Sequence, residues 1–122
     1  MKKNLYERLG GYDSIAAVVD DFMELQFADK QAGRFYVGHS TNSKKRLRQL
    51  ITEMICEITG GPAKYVGRDM RTAHAGLGIT GGDWQLAVKN LTASLDKFKV
   101  LQKEKDELLA IIAGLRPVIV EL

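Results

Sequence analysis

The chain is poor in the residues that build covalently linked or metal-bound scaffolds. It has one cysteine and two histidines among 122 residues, and prolines are equally few, at two. Cys56 therefore cannot form an intrachain disulfide, and a reducing compartment is the simpler interpretation. Because the histidines, the cysteine and the carboxylates show no tight ligand spacing, a metal site built only from side chains is disfavoured.

Long apolar runs and a strong charge imbalance are missing as well. No window approaches the length of a membrane span, and the N-terminus lacks the apolar stretch of a signal peptide. The net charge of +3 does not by itself point to nucleic acid. The length fits a single domain, residues 1–122, that buries a core without disulfides. We therefore expect a cytoplasmic protein with neither a nucleic-acid nor a membrane partner.

Alternation with a period of two residues is too short anywhere to predict a strand, whereas helical periodicity is strong. Apolar residues recur at helical spacing in four stretches, which are Ile15 to Met23, Leu47 to Ile58, Trp84 to Leu95 and Leu108 to Ile119. Asn42 or Ser43 is expected to cap the second helix, and Thr80 or Asp83 the third. Pro117 should bend or end the last helix. The predicted fold is all-α.

Glycines separate these helices, at Gly10-Gly11, at Gly60-Gly61 and from Gly76 to Gly82. Residues 60–83 form a long connection with at most one short helix, around 69–74. Helical bundles usually join their helices by shorter segments, so this connection is a candidate functional loop. Its match to the pattern GxGxxG is not a dinucleotide site, because the residues before it favour helix and no parallel sheet is predicted.

His74 lies in this connection and has two interpretations. A histidine at a helix C-terminus is often structural, because that position favours its cationic form. Here, however, Met70 precedes His74 by one helical turn, and small residues follow it. Three apolar helix faces also remain to be covered. A flat apolar cofactor held by one axial histidine would explain these features together.

The basic stretch KKRLR at the start of the second long helix is open to three interpretations. It can be a solvated surface, a partner for the carboxylates of a ligand, or a nucleic-acid contact. Glu53 and Glu57 dilute the charge of the helix, and no aromatic residues are interleaved for base stacking. Nucleic acid is therefore the least favoured of the three.

Four segments together are similar to a known family. LYERLGGYDSIAAVVDDF, FADKQAGRFYVG, ITGGPAKYVGRDM and AHAGLGITGGDW resemble the truncated haemoglobins, and their group I in particular, which are two-over-two α-helical globins. The similarity extends from about Leu5 to Leu115. It implies haem b (iron protoporphyrin IX) with His74 as the proximal iron ligand. The haem-binding residues that it implies are His74, Phe35, Tyr36, Met70, Ile79, Trp84, Leu47, Leu50, Ile51 and Met54.

The departures from the family pattern concern the distal side, where the resemblance places Phe22, Met23, Tyr36, Leu47 and Ile51. Group I members typically have tyrosine in place of Met23, and glutamine in place of Leu47, Ile51 or both. Such donors stabilise bound oxygen. Their absence should weaken oxygen binding by about one to two orders of magnitude, because a charge-assisted hydrogen bond is worth roughly 1.5–3 kcal/mol.

Tyr36 could restore a donor, since it replaces the phenylalanine of most family members and group II includes members with tyrosine here. Its hydroxyl either reaches the gas or turns to solvent while the ring packs on the haem. In the ferric state we expect five-coordinate iron or capture of an internal ligand, for which His39 and Met23 are the candidates. Residues 44–46 are candidates to pair with the haem propionates.

The resemblance predicts a haem protein that reversibly binds O2, NO or CO at a five-coordinate iron with an unusually apolar distal pocket. The alternative is a haem enzyme for NO dioxygenation or for nitrite or peroxide reduction, with a reductase as candidate partner. A third hypothesis is a haem-free helical protein in which His74 is structural. The expected assembly is a monomer or weak dimer.

Overall fold

The computed structural model describes residues 3–74 and 77–120, and its regular elements are helical. The α-helices are α1 (Leu5–Arg8), α2 (Gly11–Ala28), α3 (Thr41–Ile58), α4 (Met70–His74), α5 (Gly81–Lys97) and α6 (Gln102–Ala113). Short 3₁₀ helices span Ala32–Tyr36 and Arg116–Val118. Within these described ranges no strand occurs, so the all-α prediction is confirmed.

The start of α5 follows the sequence prediction, whereas the start of α3 does not. The Thr80 hydroxyl accepts the Asp83 N–H at 3.1 Å, and the Asp83 carboxylate accepts the Thr80 N–H at 2.9 Å. This reciprocal capping box satisfies two N–H groups that the first turn leaves free. At α3 the cap is Ser40, whose side chain accepts the Ser43 N–H at 3.1 Å. Asn42 and Ser43 are therefore not the cap, because the chain is already helical from Thr41.

The last long helix, α6, ends at Ala113, four residues before Pro117. A proline ring clashes with the carbonyl four residues earlier, which is that of Ala113. Pro117 instead lies in the second 3₁₀ helix. The expectation that Pro117 limits the helix is confirmed.

Two helix pairs make up the fold. α2 packs against α3, and α5 packs against α6, while α2 and α5 join the two pairs. Buried residues from these four helices form most of the core, including Val19 and Met23 of α2, Ile55 of α3, Leu95 of α5 and Leu108 of α6. This architecture leaves α4 attached to the rest of the chain mainly through the second 3₁₀ helix.

Polar contacts run along the seam between α2 and α5. Asn90 Nδ2 donates to the Gln26 side-chain oxygen at 2.7 Å, and the Ser94 hydroxyl donates to Asp21 at 2.7 Å. Lys97 Nζ reaches the other carboxylate oxygen of Asp21 at 2.7 Å. Since residue numbers rise along α5 as they fall along α2, these contacts fix the two helices as antiparallel.

The side of α3 that faces α2 differs from the sequence prediction. The buried residues are Thr52, Ile55 and Cys56, with Cys56 fully enclosed. Ile55 belongs to the predicted apolar face, whereas the other members of that face, Leu47, Leu50, Ile51, Met54 and Ile58, are only half-buried. Threonine and cysteine are small, and the Thr52 hydroxyl is satisfied by the Arg48 carbonyl at 2.8 Å, so this side can approach α2 closely. Cys56 does not belong to the apolar stripe seen in the sequence, yet the core encloses it fully.

The described residues show neither a membrane-spanning helix nor a cluster of metal ligands. Among them, no helix combines the length and the apolar character that crossing a bilayer requires. In the same part of the chain, no group of three or more histidine, cysteine, aspartate or glutamate residues is arranged to hold a metal ion.

Candidate functional site

His74 is the last residue of α4, the one short helix that the structure describes between α3 and α5. The sequence prediction of a helix around residues 69–74 in a long connection is confirmed. Within the glycine-rich segment that follows, Gly76 lies outside the described residues. From Gly78 the chain runs into the Thr80 cap of α5.

The His74 ring makes one hydrogen bond that determines its tautomer. Nδ1 lies 2.7 Å from the carbonyl oxygen of Met70, one turn earlier in α4. A carbonyl oxygen can only accept, so Nδ1 carries the proton and donates it. In the neutral ring this leaves the lone pair on Nε2, which is the arrangement found in histidines that ligate metals.

The side chains that the sequence assigned to a flat cofactor share one property. All ten are half-buried, whereas the fully enclosed apolar side chains lie in the core between the helix pairs. The ten are His74, Phe35, Tyr36, Met70, Ile79, Trp84, Leu47, Leu50, Ile51 and Met54. Large apolar side chains that are partly exposed on several neighbouring elements are typical of a binding groove.

The five residues predicted for the distal side belong to one cluster. Met23 is fully buried in the core, and Phe22, Tyr36, Leu47 and Ile51 pack against that core as half-buried residues. Three of the five project aliphatic or thioether groups that donate no hydrogen bond.

Tyr36 ends the first 3₁₀ helix, and its hydroxyl contacts a buried amide. Gln26 is 6% exposed, and its Nε2 lies 3.5 Å from the Tyr36 hydroxyl oxygen. The ring packs edge-on against Phe27, with the ring centroids 4.9 Å apart. Burial raises the pKa of Tyr36, and the bond from Gln26 opposes part of that rise. The phenol therefore remains protonated at neutral pH.

The candidate internal ligands lie in different environments. Met23 is enclosed in the core. His39 is exposed, its Nδ1 lies 3.2 Å from the Ser43 hydroxyl, and its ring centroid is 6.2 Å from that of Tyr36.

Two residues of the basic stretch are held against α2. Lys44 Nζ lies 4.6 Å from the centre of the Phe27 ring, and the Arg48 guanidinium lies 5.6 Å from it. Arg48 also forms an ion pair with Glu24. Lys45 and Arg46 are exposed. Cation–π contacts of this kind align the start of α3 with the end of α2.

Asp83, near the start of α5, connects that helix to the first 3₁₀ helix. Besides the Thr80 cap, its carboxylate accepts bonds from Gln31 Nε2 and from the Arg34 guanidinium, each at 2.7 Å. Although burial alone raises the pKa of Asp83, the bonds from Thr80, Gln31 and Arg34 outweigh it and hold the pKa well below its usual value. The carboxylate thus ties the 3₁₀ helix that carries Tyr36 to the start of α5.

Sequence reasoning missed Gln26, Asn90 and Arg34 as residues of this region. Gln26 follows Phe22 by four positions and Met23 by three, so it continues the apolar face of α2 as a polar residue. That interruption was a visible signal. Asn90 and Arg34 gave none, because their partners Gln26 and Asp83 are 64 and 49 residues away in the chain.

Comparison with known proteins identifies the family and the fold of this chain. A family model described as bacterial-like globin matches residues 4–121. The chain is 33% identical over 114 residues to a group 1 truncated hemoglobin of Mycolicibacterium paratuberculosis, an alignment that covers 93% of this chain and 82% of that protein. The 2/2 hemoglobin from Synechococcus sp. PCC 7002, in the cyanomet state and with covalently attached heme, is 26% identical and superposes with a TM-score of 0.88. That superposition covers 98% of this chain and all of the other, 100%.

The truncated hemoglobin from Tetrahymena pyriformis in its Fe(III) form has the same fold. It superposes with a TM-score of 0.89 at 24% identity, over 97% of this chain and 98% of that chain. Matches in sequence over nearly the whole chain thus agree with the observed arrangement of two helix pairs. The chain belongs to the bacterial-like globins and, within them, to the group 1 truncated haemoglobins.

Proposed function

We propose that this chain is a haem b protein that binds the diatomic gases O2, NO and CO reversibly, with His74 as the proximal ligand. The observation that carries the proposal is the bond from His74 Nδ1 to the Met70 carbonyl at 2.7 Å. In the neutral ring this bond leaves the lone pair on Nε2, and it holds the ring in one orientation, which is what an axial ligand requires.

The residues present fit the porphyrin as well as the iron. The ten half-buried side chains named above are mostly apolar and would give a flat macrocycle an apolar lining. When bound, the haem supplies an iron with an open coordination position for the gas. The side chains of this protein supply the rest, which is orientation on the His74 side and exclusion of water on the other.

The distal side would be unusually apolar for this family. Met23, Leu47 and Ile51 exclude water and offer no hydrogen bond to a gas. Bound oxygen is more polar than bound CO and gains more from a hydrogen bond. We therefore expect the lack of donors to lower the affinity for oxygen more than that for CO. Poor stabilisation of a distal water supports a five-coordinate ferric iron in the resting protein.

The proposal is tested by His74→Ala, with His39→Ala as the matched control. His74→Ala should abolish stable haem retention, and the Soret band should be lost after gel filtration. His39→Ala removes the exposed histidine and should leave the haem content per chain, measured as the pyridine haemochrome, unchanged. Normal haem content in His74→Ala would refute the assignment, and equal loss in both variants would point to unfolding, which far-UV circular dichroism detects.

A further inference from the structure

We propose that Gln26 and Asn90 are positioning residues that hold the Tyr36 hydroxyl with its proton free to donate to the gas on the distal side. This inference rests on the proposed function and adds a donor to a pocket whose other named side chains lack one. It arises from a chain of three polar side chains, from Asn90 through Gln26 to Tyr36, that crosses the seam between α2 and α5.

The surroundings of Gln26 indicate that the hydrogen-bonded side chains of Asn90, Gln26 and Tyr36 have a role beyond helix packing. Gln26 is 6% exposed and lies one turn after Phe22 and Met23 on the same face of α2. A buried amide costs free energy unless it is hydrogen-bonded, and an apolar residue of similar size would avoid that cost. Both polar atoms of Gln26 are engaged, one with Asn90 and one with Tyr36.

The direction of the bonds follows from Asn90. Its Nδ2 donates to the Gln26 side-chain oxygen at 2.7 Å, so the Gln26 Nε2 faces Tyr36. An amide nitrogen donates and does not accept, so the Tyr36 oxygen is the acceptor in the 3.5 Å contact. The hydroxyl proton of Tyr36 is then left for another acceptor. A hydroxyl that accepts one hydrogen bond also becomes a better donor in the next.

The location of Tyr36 makes the gas a suitable acceptor. The ring packs against the same core as Phe22, Leu47 and Ile51, which are the residues proposed for the distal side. The edge-on contact with Phe27 at 4.9 Å restricts the ring. Tyr36 would therefore partly replace the tyrosine that is missing at Met23.

Two substitutions reverse the direction of the hydrogen bond between residue 26 and Tyr36. In Gln26→Glu, the carboxylate accepts a hydrogen bond from the Tyr36 hydroxyl, which then no longer donates to the gas. In Asn90→Asp, the carboxylate accepts a hydrogen bond from Gln26 Nε2, so the Gln26 oxygen turns toward Tyr36 and accepts a hydrogen bond from its hydroxyl. Each variant should speed oxygen dissociation by about fivefold or more, approaching the effect of Tyr36→Phe. Asn90 is only half-buried, so Asn90→Asp carries the test by itself if a carboxylate at Gln26 prevents folding.

Matched controls separate this effect from charge alone. Gln85→Glu and Asn42→Asp introduce the same carboxylates at exposed positions of α5 and α3. Both should leave oxygen dissociation, followed by stopped flow in the ferrous protein, within about twofold of the unsubstituted protein.

The isosteric change Gln26→Met provides a second measurement that does not depend on gas binding. The pKa of Tyr36 is followed by the NMR signal of its ¹³Cζ atom, assigned through Tyr36→Phe. Loss of the Gln26 donor should raise this pKa and speed oxygen dissociation. If Tyr36 instead donated to Gln26, the same change would lower the pKa and slow dissociation, and the proposal would be wrong.

Other outcomes are equally decisive. Unchanged dissociation in Tyr36→Phe, or changes in Gln26→Glu and Asn90→Asp no larger than in the controls, would overturn the positioning role while haem binding stood. A protein without a Soret band would instead overturn the proposed function.

Discussion

The bonds that Asp83 accepts should make the stability of this protein depend on a single buried carboxylate. We consider Asp83→Ala, which removes the acceptor for Gln31, Arg34 and the Thr80 N–H. The carboxylate is 4% exposed, whereas the Arg34 side chain is 47% exposed. Arg34 and Gln31 can therefore rehydrate in the variant, so the change leaves neither of them buried without a partner.

The expected cost follows from this asymmetry. Loss of the capping interaction costs about 1 kcal/mol. Two bonds to a charged acceptor would add about 1.5–3 kcal/mol each, but solvent at Arg34 and Gln31 reduces that sum. We expect a decrease of about 2–3 kcal/mol in the free energy of unfolding, a large part of the 5–15 kcal/mol that is typical of a domain.

The pH dependence has a definite sign. Because the bonds lower the folded-state pKa of Asp83, the stabilisation is fully present above the unfolded value of about 4 and is lost as the pH falls below it. The difference between the unsubstituted protein and isosteric Asp83→Asn should therefore be constant from pH 7 to pH 5 and shrink below about pH 4.

Urea unfolding at constant haem content, followed by circular dichroism from pH 7 to pH 3, measures these differences. Asp106→Ala is the matched control, since Asp106 is exposed and accepts a local bond from Gln102, four residues earlier, at 2.7 Å. It should change stability by less than about 0.5 kcal/mol. A cost for Asp83→Ala as small as that of the control, or a cost for Asp83→Asn that does not change with pH, would refute the reasoning.

Three further outcomes are expected. Gly61→Ala should destabilise the protein by about 1–3 kcal/mol in urea unfolding, because a Cβ there would lie 2.5 Å from the Tyr6 ring. Gly82→Ala, where the new Cβ would meet its nearest neighbour at 3.6 Å, should instead be neutral or slightly stabilising; equal costs would contradict the packing argument. Cys56 is fully enclosed, and burial raises the pKa of its thiol, so a thiol reagent should modify it slowly in the folded protein and rapidly in urea. Fast modification under native conditions would show that the core opens there. Ile51→Gln should slow oxygen dissociation by about tenfold, because the new amide adds a hydrogen-bond donor. The same change at the exposed Ile111 of α6 should leave the rate unchanged. An unchanged rate in both variants would place residue 51 away from the gas.

The sequence by itself determined the features that depend on residues a few positions apart. Apolar residues at helical spacing predicted α2, α3 and α5. The pair of Thr80 and Asp83 predicted a cap, because its bonds form within one turn. The candidate proximal ligand could also be identified from the sequence, since His74 and the Met70 carbonyl that orients it are four residues apart in a single helix.

Which side of a helix enters the core was decided only by tertiary structure. The spacing of α3 identified its bulky apolar side, Leu47 to Ile58, as buried. The structure encloses Thr52 and Cys56 beside Ile55 and leaves the other bulky residues of that side half-buried. Periodicity reports that a face is apolar, but α2 and a cofactor are both apolar surfaces, and spacing along one helix cannot distinguish them.

The polar contacts of the site were likewise beyond the sequence. Gln26 and Asn90 are 64 residues apart, and Arg34 and Asp83 are 49 residues apart. Each pair meets only because α2 and the first 3₁₀ helix pack on α5. A single sequence specifies the hydrogen-bonding groups that a chain carries, but which distant groups become partners depends on how its helices pack, and that packing sets the direction in which Tyr36 can donate.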